Sequence, residues 1–149
     1  MKITKEWLAE KSACSEGCKW FLSQKETDAV KVLKKLIKEK HLDWANWTIV
    51  RVMDYKQYVS YAVFAAEQVI QIYEKKYPDD KRSREAIEAA KKCIKNPSEK
   101  NKKAAHAAAD AAHAAADAAA YAAADAAAYT MKIKILEYGM KLLEGRVND

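Results

Sequence analysis

Nineteen of the 25 residues from Ala104 to Ala128 are alanine, and the exceptions recur every three or four positions: His106, Asp110, His113, Asp117, Tyr121 and Asp125, with Tyr129 next. Alanine is the strongest helix former and loses no side-chain entropy on folding, so the tract is expected to be helical in almost any context. At about 100° per residue, His106, Asp110, His113 and Asp117 fall within roughly 60° of arc, while Asp125 has drifted about 100° from His106. The larger side chains thus form one slowly turning stripe on a cylinder otherwise covered in methyl groups. Methyl surfaces let a neighbouring helix approach closely. The tract is therefore expected to pack on the rest of the chain with its stripe outward.

Turn residues are scarce, with three glycines and two prolines in 149 residues. Helix starts are instead marked by capping side chains. Thr4 is expected to cap a helix from Lys5 to about Gln24, broken near Ser15 to Gly17. Thr27 opens a second helix carrying Ala29, Val30, Leu33, Leu36 and Ile37 at amphipathic spacing, with Lys31, Lys34, Lys35 and Lys38 on its outer face. Asp43 opens a short third helix and Asp54 a fourth, running from Tyr55 to Lys76 and stopped by Pro78. The fourth has a narrow polar stripe, including Lys56, Glu67, Gln71 and Lys75, and so must be covered by other helices. Asp79 or Asp80 starts a fifth, which Asn96 and Pro97 end. An unbroken helix from Ser98 to Leu143 would span about 70 Å, against a radius of gyration near 15 Å for a domain of this size, so a bend near Thr130 is expected. The fold class is all-α: a single domain, residues 1–149, of about six helices. Residues 1–97 make a lysine-rich helical body, and residues 98–145 the alanine-rich helix and C-terminal helix. Its expected core holds Trp20, Phe21, Leu33, Leu36, Ile37 and Trp47, joined by Val50, Tyr61, Phe64, Val69 and Ile72.

The net charge of +6 is uneven: residues 1–103 carry 23 basic and 15 acidic groups, residues 104–149 carry 4 and 6. Lysine supplies 23 of the 27 basic residues. Lysine decorates solvated helix faces, whereas phosphate and base recognition favour the arginine fork, which argues against a nucleic-acid partner. No stretch reads as a signal peptide or membrane span, and three cysteines fit a reducing compartment, so a cytoplasmic location is expected. Cys14 and Cys18 lie one helical turn apart without the four ligands that structural zinc wants, and read as buried or half-buried free thiols.

Two constellations are candidates for a site. His106, Asp110, His113 and Asp117 set imidazoles beside carboxylates over about three turns. The two histidines are about 10 Å apart along the axis, so a metal would need carboxylates from other helices, and none is assigned. Paired charges that keep the helix in water are the plainer reading. Lysine or glutamate would serve that end as well, which favours His106, Asp110, His113, Asp117 and Tyr121 as a partner-binding face. The second constellation is Trp44, Trp47, Arg51 and Glu67, with Asp43, Asn46 and Gln68 nearby. Arg51 can lie on the Trp47 indole. Arg51 and Glu67 each interrupt an apolar run and are expected to pair between helices, as an internal ion pair or the edge of a shallow site. His41, among lysines, reads as solvated. There is no glycine-rich phosphate loop, no nucleophile motif and no metal motif, so no catalytic residue and no cofactor are assigned and the protein reads as non-enzymatic.

The run WANWTIVRVMDYKQYVSYAVFAAEQVIQIYEKKYPDDKRSREAIEAA, preceded by WLAEKSACSEGCKWF, resembles a family of small bacterial and phage-borne helical immunity proteins. Members end in an alanine-rich helix punctuated every three or four residues, often by tyrosine. Here His106, Asp110, His113, Asp117 and Asp125 stand where tyrosine is commoner. The resemblance covers nearly the whole chain and implies a protein partner, a toxin or an immune effector, neutralised by occlusion. The alternative is a ligand-sequestering helical protein that holds a nucleotide signal, with lysines and Arg51 facing phosphate. Oligomeric state stays open.

Overall fold

Capping side chains and left-handed corners, rather than glycine-rich loops, divide this chain into helices. The computed structural model describes residues 1–96, 98 and 125–147. Among them are seven α-helices: α1 (Lys5–Glu10), α2 (Ser15–Ser23), α3 (Ala29–Lys38), α4 (Leu42–Val52), α5 (Tyr55–Lys76), α6 (Arg82–Lys95) and α7 (Asp125–Leu143). The described residues contain no strand; one isolated bridge joins Lys2 to Asp28. The fold is all-α, as the spacing of apolar residues requires.

Three helices end in the same way. After α3 the amide of Lys40 bonds to the Ile37 carbonyl and that of His41 to the Leu36 carbonyl. Lys40 itself is left-handed, with φ of 64°. This is the Schellman arrangement, which satisfies carbonyls that a helix end would leave bare. Ser12 (φ 56°) repeats it after α1, and Gly145 (φ 66°) after α7. Only the last uses the residue that adopts this conformation without a steric penalty. The Ser12 corner separates α1 from α2, so the break falls a few residues before the expected Ser15 to Gly17.

The chain divides into two compact units, Met1–Met53 with Met140–Asp149, and Asp54–Gly139. In the first, the Ile3 amide bonds to the Thr27 carbonyl and the Ala29 amide to the Met1 carbonyl. Thr27 is thereby engaged through its backbone, and Asp28 caps α3 instead, accepting from the Lys31 amide at 3.1 Å. Asp43 likewise is no cap: α4 starts at Leu42 directly from the Lys40 corner, which puts Asp43 in its first turn. Ile3, Leu8, Phe21, Leu33, Leu36 and Ile49 are among this unit's buried side chains, as is Met140 near its C-terminal end. Trp20, Ile37, Trp47 and Val50, expected in the core, are only half-buried.

In the second unit Asp54 caps α5, and Gln57 answers in a capping box. The helix stops at Lys76, before Pro78. Val59, Val63, Ala66 and Ile70 line one stripe of α5 and pack on Ile87, Ala90 and Cys93 of α6. Contacts run in opposite chain order, Glu74 with Arg84, Glu67 with Lys91 and Tyr55 with Cys93, so the two helices are antiparallel. On another side of α5, Phe64 stacks on Tyr138 of α7, centroids 3.9 Å apart. Tyr61 and Val69 are buried as expected, while Phe64 and Ile72 are half-buried. α7 runs through Thr130 as one continuous helix.

Candidate functional site

Aromatic side chains collect in the first unit because α2 and the α3–α4 corner both present large rings. All four tryptophans lie between positions 7 and 47. Trp7 meets Trp47 edge to face at 5.9 Å, and Trp20 lies 6.3 Å from Trp44. His41 stacks on Trp44 at 4.4 Å and also meets Trp20 edge-on. It is half-buried among indoles, a correction to its reading as a solvated side chain. The Trp20 indole donates to Glu39 at 2.8 Å, which fixes the ring.

Three of these rings border a cavity of about 300 Å³. Trp20, Trp44 and Trp47 line it, with Leu8, Phe21 and Leu36 behind them. Asp43 is the one charged side chain in its described lining, which includes no lysine, arginine or histidine. Cys14 also borders it; its sulfur serves as the α2 cap, accepting from the Gly17 amide at 3.3 Å. Cys14 is exposed, Cys18 half-buried and Cys93 buried, so the expectation for the thiols fails at Cys14.

Of the second constellation, the structure gathers Trp44 and Trp47 at the cavity and lays Arg51 on Trp47. The guanidinium carbon sits 4.1 Å from the ring centroid, and Arg51 donates to the Trp47 carbonyl at 2.9 Å. Glu67 belongs elsewhere. It pairs with Lys91 at 2.8 Å, and Lys91 also holds Glu88. The expected Arg51–Glu67 pair is thus replaced by a partner for each within its own unit. Glu67 raises the Lys91 pKa foremost, followed by Glu88. Nearby, Arg84 grips Glu74 with two bonds of 2.6 Å and holds its carboxyl below the usual range. The first constellation, His106, Asp110, His113, Asp117 and Tyr121, lies outside the described residues.

Sequence spacing does not group Trp7, Trp20 and His41 with Trp44 and Trp47. The available signal was the confinement of every tryptophan to one third of the chain. No helix among the described residues is long and apolar enough to cross a membrane.

The chain is thus an all-α protein whose helices pack in two units, one of them holding an indole-lined cavity. Residues 48–141 match the family described as "Imm-5 like putative immunity protein", and the chain belongs to that family. Residues 1–56 match another, described as the YdhT N-terminal domain. The two matches overlap at residues 48–56, where the boundary between the compact units also falls. No curated protein and no solved structure matches the chain.

Proposed function

We propose that this protein is a non-enzymatic immunity protein that neutralises a toxin, or as a phage-borne inhibitor a host-defence component, by binding and covering it. The observation that supports this reading is the family match over residues 48–141. That segment contains all five residues of the His106 to Tyr121 stripe, which we assign as the partner-binding face. The helix expected of so alanine-rich a sequence would present these side chains with little ordering cost on association, which favours affinity. Trp44, Trp47 and Arg51 form the secondary candidate, without Glu67, which pairs with Lys91 in the other unit. The nucleotide-sequestering alternative finds little support in the cavity, whose described lining offers phosphate no cation.

The test is capture from a host lysate with tagged full-length protein, wild type beside a His106→Ala, Asp110→Ala, Asp117→Ala variant. Wild type is expected to retain one stoichiometric protein, and the triple variant to lose it with far-UV ellipticity unchanged. Retention by the triple variant would move the binding face off the stripe. A clean capture together with a rise in melting temperature on adding nucleotides would overturn occlusion in favour of ligand sequestration.

A further inference from the structure

We infer that the cavity of the first unit is a binding site for a small uncharged ligand, a largely apolar molecule of about ten non-hydrogen atoms. The site lies almost wholly outside the immunity-family match and is independent of partner neutralisation.

Size, polarity and charge each narrow the occupant. Native interiors hold few voids larger than a water molecule, yet α1 to α4 all contribute walls to one of about 300 Å³. A cavity of about half that volume, lined by leucine, isoleucine and phenylalanine, stays dry and takes up benzene, so this one admits a molecule of roughly ten non-hydrogen atoms. That is at the lower end of ordinary ligand pockets. Leu8, Phe21 and Leu36 face it together with three indoles, so most of the ligand's surface must be apolar. The charged groups around the cavity are already committed. The Arg51 guanidinium lies over Trp47 and donates to its carbonyl, His41 stacks on Trp44, and Asp43 has a partner as well. An ammonium head would compete with Arg51 for Trp47 and with His41 for Trp44. A carboxylate would enter a described lining that contains no lysine, arginine or histidine. Either ion would give up its water without gaining a counter-charge, a cost that an uncharged molecule does not meet.

The test uses three probes matched in size, 3-phenyl-1-propanol, 3-phenylpropylammonium and phenylacetate, titrated into the full-length protein by calorimetry. The alcohol is expected to bind with a submillimolar Kd, at least about fivefold more tightly than either ion, and to raise the melting temperature. Ala13 lines the cavity, and Ala13→Phe is expected to fill it and to weaken the alcohol at least about tenfold, with the melting temperature of the free variant recorded as a control for folding. A second reading needs no variant. Cys14 is exposed and borders the cavity, whereas Cys18 is absent from its described lining. Saturating alcohol is therefore expected to slow iodoacetamide alkylation of Cys14 relative to Cys18, read by peptide mass. Failure of the alcohol to bind below millimolar concentration would overturn the proposal. So would either ion binding as tightly as the alcohol, or binding that neither Ala13→Phe nor the Cys14 rate registers, which would place the ligand elsewhere.

Discussion

Asp80 accepts four hydrogen bonds: from the Tyr73 hydroxyl at 2.9 Å and from the Arg82 amide, Nε and Nη2 at 3.1, 2.9 and 2.7 Å. The Arg82 guanidinium, then the Tyr73 hydroxyl, hold its carboxyl well below the ordinary aspartate value of 3.8. A depressed folded-state pKa stabilises fully above the unfolded value and loses that contribution as pH falls towards the folded one. Asp80→Asn is therefore expected to lower the melting temperature near neutral pH, and the gap to wild type to narrow as pH drops below 3.8. Melting curves from pH 7 to pH 2 check this, and a gap constant with pH would refute it. Lys40 is a second residue with a definite cost. Its left-handed backbone is penalised in any residue with a Cβ, and its side chain is exposed. Lys40→Gly is expected to stabilise by about 1 kcal/mol in denaturant titration, the steric relief exceeding the added unfolded-state entropy.

At the level of elements, α5 shows what local sequence can specify. Its start is signalled by Asp54 with Gln57 three residues on, and its end by Pro78, all within a turn of the boundary. Asp54→Ala is expected to cost about 1 kcal/mol, read from the urea midpoint. The start of α3 was less legible for a reason several helices away. The backbone of Thr27 is taken up by Ile3, and Glu26 accepts from the amides of both Thr27 and Asp28, leaving Asp28 to cap. At α4 the Lys40 corner delivers the chain already turned, so no cap side chain is needed at Asp43. The charged partners were the hardest to read. Arg51 and Glu67 both interrupt apolar runs, but only the antiparallel register of α5 and α6 shows that Glu67 belongs to Lys91. The cavity has the same character: Trp44 and Trp47 announce themselves on one helix, whereas Trp20 and Leu8 reach it from elements that spacing alone cannot bring together.

For the molecule as a whole, the first unit is discontinuous in sequence. Its helices α1 to α4 are joined by residues 140–149, the last turn of α7 and the segment that follows it. Met140 is 7% exposed, and Glu144 pairs with Lys34 of α3 at 2.7 Å. Deletion of residues 140–149 is expected to lower the unfolding midpoint reported by indole fluorescence, since burial of one methionine alone contributes about 2 kcal/mol. The α5–α6 pair should keep its helicity under the same conditions, read by hydrogen exchange. Equal midpoints for the deleted and full-length chains would show this C-terminal segment to be dispensable.

That discontinuity has a consequence during synthesis. A nascent chain emerging from the ribosome exposes Met1 to Met53 first, without the tail that closes their core. At about 5–20 residues per second, the interval until Met140 appears is on the order of ten seconds. During it α5 and α6 emerge and can pack on one another, while the tryptophan-rich segment waits incomplete. The order of folding is then the reverse of the order of translation, and a chaperone that recognises exposed indoles would meet this protein at its N-terminal end.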